Sequence, residues 1–161
     1  MNEHIETEKA EQLAGEYFGN GYHCAESVVR ALLDTMGEDS QRVIPYSTAF
    51  GGGFGETFME TCGVISGSLI VIGHKYGRKQ QGDSWKEAGL LGRTVVERFL
   101  KLHGTCNCGL LRNRFGEEYQ MDLCREVVIQ GTKSLTTILN GKVAEDNASG
   151  EHCPEKCTSC S

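Results

Sequence analysis

The residues that stand out are the thiols: Cys24, Cys62, Cys106, Cys108, Cys124, Cys153, Cys157 and Cys160, eight cysteines in 161 residues. A thiolate is the form of cysteine that binds soft metals or attacks a disulfide. In a reducing compartment this many cysteines point to metal binding, redox chemistry or catalysis more than to structural disulfides. Taken singly, any one of them is equally well a small buried hydrophobe. Taken together, the eight are not.

Four of them occupy positions that could converge. Cys24 and Cys62 stand at the starts of two expected helices, where free N–H groups and the helix dipole favour a thiolate. Cys108 sits in the break Gly104–Gly109, and Cys124 falls on the inward stripe of a later helix. Four thiolates suit a tetrahedral zinc or an iron–sulfur cluster. No short C-x-x-C pair anchors these four. Cys106, two residues before Cys108, leaves the third ligand open: both can ligate one metal, the two can form a strained disulfide, or one is a bystander. The C-terminal run holds His152, Cys153, Cys157 and Cys160, a donor set for a second zinc or soft-metal site or for docking to a cluster. Its Cys157-x-x-Cys160 pair also suits thiol exchange, and a flexible tail that binds metal adventitiously is the plain alternative. A c-type haem is disfavoured, because Ser161 rather than histidine follows Cys160.

Other polar residues carry weaker signals. Gly51–Gly55 fits neither a Walker A loop nor a dinucleotide fingerprint, and no lysine follows it; tight turning beside the site is its expected use. His23 is a base or an outer hydrogen-bond donor beside Cys24, or simply an exposed residue before a helix. His74 and His103 close expected helices, where a charged imidazole is favoured. Glu56 and Glu60 read as a solvated loop edge better than as a cation site.

The elements that must position the thiols are helical. Glu6 to Phe18 reads as a short amphipathic helix with Ala10, Leu13, Ala14 and Tyr17 on one face. Ala25, Val28, Val29, Leu32, Leu33 and Met36 recur at the spacing of one buried helical face, and Gly37 stops the run. Gln41 to Phe50 suggests a third helix, interrupted near its start by Pro45. The uncharged segment Ser66–Gly73 predicts a central helix buried on all sides. Gly63 and Gly67 share one face of it, each at a cost of roughly 1 kcal/mol relative to alanine, so backbones or a cofactor should pack closely there. Trp85 to Leu102 predicts a long helix with the stripe Ala88, Leu91, Val95, Phe99 and Leu102. Gly116 to Asn140 predicts the last, with Met121, Cys124, Val128, Leu135 and Ile138 inward and Gly131 a weak point. Beyond Gly141 the composition is that of a linker. No stretch alternates with period two. The expected fold is therefore all-α, a compact bundle of about five or six helices around a buried glycine-containing central helix. Residues 1–141 form the helical domain and 142–161 a flexible cysteine-rich tail.

The formal charge of −6 offers no basic stripe for phosphates, so nucleic acid is an unsuitable partner. The first twenty residues carry Glu3, Glu6, Glu8, Glu11 and Glu16 and no apolar run, so no signal peptide is expected. Val64–Gly73 is half the length of a membrane span. A cytoplasmic location follows as the expectation.

The order of motifs resembles one family. His23-Cys24-Ala25-Glu26-Ser27-Val28, the loop Gly51–Gly55, Cys62-Gly63 followed by Gly67, Gly104-Thr-Cys-Asn-Cys108 and Cys124-Arg125 fall in the order of the C-GCAxxG-C-C family, small prokaryotic proteins described as redox-active. The resemblance spans roughly residues 5 to 140 and leaves the tail outside. It departs from the pattern at Val64, where a smaller residue is usual, and in the extra thiol Cys106. It implies a metal or iron–sulfur site on Cys24, Cys62, Cys108 and Cys124, with Gly63 and Gly67 beside it and a redox partner protein. The leading expectation is thus electron transfer through a cysteine-bound iron–sulfur cluster or other metal. A thiol–disulfide oxidoreductase, with Cys24 or Cys62 attacking and the tail as shuttle, is the rival, and a zinc-stabilised binding module the third reading. The apolar central helix, with Phe50, Phe54, Phe58 and Met59 before it, predicts a homodimer.

Overall fold

The computed structural model describes residues 4–148. Among them the regular structure is helical, as the sequence predicts: α1 Thr7–Tyr17, α2 Cys24–Thr35, α3 Ile44–Ser47, α4 Gly63–Tyr76, α5 Lys86–His103, α6 Cys108–Phe115 and α7 Gln120–Ala148. Two 3₁₀ turns, Ser40–Arg42 and Thr48–Phe50, bracket α3.

Helix α2 lies at the centre, packed against α1, α4 and α7, and α4 in turn packs against α5 and α7. The α2 stripe is fully buried at Ala25, Val28, Val29, Leu32 and Leu33. Gly63 and Gly67 bring α4 onto the first turn of α2. A Cβ on Gly67 would stand 2.6 Å from the Ala25 carbonyl oxygen, too close for any side chain. A Cβ on Gly131 of α7 would overlap Val64, so this glycine is a crossing point with α4 rather than a weak point. Asn140 ties the chain start to α7: the Ile5 N–H donates to its Oδ1 at 2.8 Å and its Nδ2 donates back to the Ile5 carbonyl at 3.0 Å.

Several expectations need correction. There is no continuous helix over 41–50; Pro45 falls in the first turn of the four-residue α3, which only 3₁₀ turns flank. Helix α6, eight residues long, lacks a buried stripe strong enough to announce it, since only Cys108 and Leu111 are buried. The described chain therefore has seven α-helices rather than five or six. Helix α7 starts at Gln120, not Gly116, and runs on to Ala148, past the place where the composition suggested a linker. Alanine, glutamate and lysine after Gly141 are adequate helix formers once a preceding helix supplies the nucleus. Helix α4 is not buried all round: Leu69 is 40 % exposed and Gly73 is on the surface. Leu102 and Met121, expected inside, are each 60 % exposed.

A candidate redox site in a cysteine-lined cavity

The site is assembled where α2, α4 and α6 begin. Helix α2 opens on His23-Cys24. The buried Glu26 accepts the His23 N–H at 2.9 Å and the Thr48 hydroxyl at 2.8 Å. That reciprocal cap fixes the first turn and ties it to the 3₁₀ turn before the glycine loop.

The loop crosses from α2 to α6 in left-handed backbone. Gly52, Gly53, Phe54, Gly55, Glu56 and Phe58 have φ between 56° and 63°, a region that costs most non-glycine residues about 1–2 kcal/mol each. Hydrogen bonds hold the turn closed, with the Phe58 N–H on the Gly52 carbonyl at 2.9 Å and the Gly55 N–H on the Ala49 carbonyl at 2.8 Å. Glycine is required at 51 and 53 for closeness as well. A Cβ on Gly51 would stand 2.9 Å from the His23 Cβ, and one on Gly53 would stand 2.8 Å from the Cys108 Cβ.

Cys62 and Cys108 are set by a short antiparallel contact between Thr61 and Asn107. The Cys62 N–H donates to the Cys106 carbonyl and the Cys108 N–H to the Glu60 carbonyl, each at 2.8 Å. Asn107 then caps α6, its Oδ1 accepting the Leu110 N–H at 3.0 Å. The sequence signal for that start was present, an asparagine just before Cys-Gly-Leu-Leu. Cys62 is the residue before α4, and Cys124 comes from α7.

Cys24, Cys62, Cys108 and Cys124 all line one cavity of about 330 Å³. Its other walls are largely apolar, with Phe18, Tyr22, Leu111, Phe115 and Val127 among them. Cys106 does not line it; that thiol packs against the core, and burial raises its pKa. Gly63 and Gly67 are absent from the lining as well, their bare faces being used against the backbone of α2. His152, Cys153, Cys157 and Cys160 lie outside the described residues.

The electrostatics differ from the expectation for thiols at helix starts. Burial pushes the Cys62 thiol well above its ordinary value, and Cys24 beside it adds to the rise; the Val64 N–H opposes both and loses. Burial raises Cys108 too, with Cys24 adding and Arg112 opposing. Cys124 is pushed up to about 11 by burial first and then by Cys24 and Cys108, again against Arg112. Desolvation of the charged form outweighs the helix dipole. No described group of three or more His, Cys, Asp or Glu side chains is close enough to hold one metal ion. The four sulfurs stand around a space rather than around a point.

Two histidines of the sequence reading contact carboxylates. His23 pairs with Glu56 at 3.8 Å. His74 bonds Glu38 at 2.7 Å. For His103 at the end of α5, burial first and then Arg114 lower the pKa, opposite to the direction expected of a helix-end imidazole. Arg112 and Gln120 were not singled out from the sequence, and Phe58 was read only as part of an apolar dimer surface, although Arg112 follows Cys108 at i+4 and so shares its helical face.

Fold and site together define a small helical protein with four thiols around a mostly apolar cavity. The chain belongs to the family described as "Putative redox-active protein (C_GCAxxG_C_C)", whose model matches residues 22–161. That match takes in the cysteine-rich tail, so the tail belongs to the family region and not outside it. Comparison with curated proteins and with solved structures finds no match. None of the described helices is long and apolar enough to cross a membrane.

Proposed function

We propose that this protein transfers electrons through an iron–sulfur cluster, or another multi-metal group, held by Cys24, Cys62, Cys108 and Cys124. The observation that carries the reading is that four thiols, three on α2, α6 and α7 and one immediately before α4, line a single, mostly apolar cavity. A single tetrahedral zinc needs its sulfurs roughly 3.8 Å apart, given a zinc–sulfur bond of about 2.3 Å, and the described thiols form no such group. A cavity of about 330 Å³ favours something larger than an ion. A bound cluster would supply one-electron chemistry at a potential set by burial and by hydrogen bonds to sulfur. The chain's own contribution is to exclude water with Phe18, Tyr22 and Phe115, and to hold the thiols on rigid helix starts.

Thiol–disulfide exchange, with Cys24 or Cys62 attacking, is the rival: it would use one attacking and one resolving thiol, whereas four thiols line the cavity.

The test is anaerobic purification with iron, sulfide and zinc analysis and an absorption spectrum. A brown protein with a broad shoulder near 400 nm is expected, lost in Cys24→Ser, Cys62→Ser, Cys108→Ser or Cys124→Ser and kept in Cys106→Ser. Colourless, metal-free protein with all four thiols intact overturns the reading. The homodimer belongs to the same proposal: Leu69, leaning on Gly92 of α5, and the exposed Val96 and Leu100 would form its face. A stable monomer by light scattering at micromolar concentration would remove that part.

A further inference from the structure

A second pocket, of about 490 Å³, lies outside the cysteine cavity, and Phe58, Arg112 and Gln120 line both spaces. These three side chains are the partition between them. The Arg112 guanidinium lies over the Phe58 ring, 3.5 Å from its centroid, and donates to Gln120 Oε1. The backbone on either side is held by close contacts and hydrogen bonds. A Cβ on Gly109 would overlap the Phe58 carbonyl, Asn107 Nδ2 donates to the Met59 carbonyl, and the Phe58 N–H is bonded to Gly52. Opening therefore falls to the three side chains, and a stack plus one hydrogen bond is an arrangement that rotamer changes undo in nanoseconds.

The charge at this partition is uncompensated. Among the described residues no carboxylate lies within ion-pair distance of Arg112, although Glu117 lines the outer pocket. The partners of Arg112 are a ring face and an amide oxygen, both neutral. His23, the other basic side chain on the cavity wall, is turned to Glu56. A guanidinium without a carboxylate partner on the wall of a largely apolar cavity attracts small anions and disfavours cations.

We propose that Phe58, Arg112 and Gln120 form the mouth of the cysteine cavity and that Arg112 makes this mouth selective for small anionic reactants. The inference rests on the cavity being the reactive site but not on which group the thiols hold.

The test compares iodoacetate, an anion, with iodoacetamide, its neutral counterpart. With either, a cysteine sulfur displaces iodide to form a thioether and its proton goes to buffer. The metal content of the full chain is recorded first; the chain is then reduced and stripped of any metal, with its helix content checked by circular dichroism, so that Cys108 and Cys124 are free thiols, and their labelling is followed by mass spectrometry. Relative to free cysteine, wild-type protein should favour iodoacetate by about fivefold or more. Arg112→Gln should erase the preference, Arg112→Lys should keep part of it, and Phe58→Ala should speed both reagents by tenfold or more with the preference retained. Should Arg112→Gln fail to fold, Arg112→Lys and Gln120→Ala still read the two roles. A wild-type ratio equal to that of free cysteine overturns the charge selection. Labelling no faster in Phe58→Ala than in wild type, including no labelling in either, overturns the mouth. Metal content decides the proposed cluster separately, so the two ideas can fail independently.

Discussion

The Cys24 sulfur rests directly on the bare Cα of Gly63. A Cβ there would overlap Cys24 Sγ and stand 3.0 Å from the Phe50 carbonyl oxygen and 3.2 Å from the Ala25 nitrogen. One glycine thus lets the start of α4, the start of α2 and the end of the 3₁₀ turn before the loop meet at one thiol. Gly63→Ala should therefore cost about 1–3 kcal/mol by overpacking and change the labelling rate of Cys24. Gly73→Ala is the control: nothing lies within 4 Å of its added Cβ, so it should stabilise by about 0.5–1 kcal/mol through helix propensity. Thermal melts of both variants decide it. Equal melting temperatures would refute the close-packing account.

Gly131 and Val64 should behave as a coupled pair. Gly131→Ala alone forces its Cβ into Val64 and should destabilise by about 1–3 kcal/mol. In a Val64→Ala background the same change should cost at least about 0.5 kcal/mol less, the usual sign of residues in contact. Chemical denaturation of the four proteins completes the cycle, and additivity would show that the two helices adjust without strain.

Gly53→Ala tests the loop. The position combines φ +63° with a Cβ that would stand 2.8 Å from the Cys108 Cβ, so both strain and overlap oppose it. A loss of about 1–3 kcal/mol and displacement of Cys108 from the cavity are expected. Glu56→Gly, at φ 60° on an exposed part of the same loop, should leave the melting temperature unchanged or raise it.

Acid should weaken the α2–α4 end of the bundle through Glu38. Burial opposes ionisation there, yet hydrogen bonds from Lys75 and His74 prevail and hold the carboxyl below its usual range. A depressed folded pKa means stability that is fully present above the unfolded value of about 4.3 and is lost as pH falls through the folded value. Glu38→Gln should lose about 0.5–1 kcal/mol near neutrality and show a flatter decline in melting temperature between about pH 5 and 3. Parallel acid profiles for the two proteins would assign the effect elsewhere.

Truncation after Ala148 should leave folding intact, because all the described residues of α7 are kept, with the Lys142–Glu87 ion pair and the Asn140–Ile5 bonds. The measurement is the melting temperature together with the metal content of full-length and shortened chains. A shortened chain that loses its metal would make Cys153, Cys157 or Cys160 ligands of the main site.

Much of the architecture was legible because it is local. The stripe Ala25, Val28, Val29, Leu32, Leu33 fits one helical face only, and Leu91, Val95 and Phe99 fit another; a 3.6-residue period is read within a few turns of chain. The family, too, followed from cysteine order and a glycine loop. Closeness in space decided the rest. Cys106 and Cys108 are equivalent in the sequence, and only the antiparallel contact of Thr61 with Asn107 puts the second of them on the cavity and the first against the core. Cys62 at a helix start reads as an activated thiol until burial and a neighbouring Cys24 reverse the direction of its pKa, since desolvation depends on every chain segment packed around a group. Gly131 reads as a helix defect until Val64 arrives across from it. The partition of Phe58, Arg112 and Gln120 joins a left-handed loop, a short helix and a long one, and no period or spacing along the chain brings those three together.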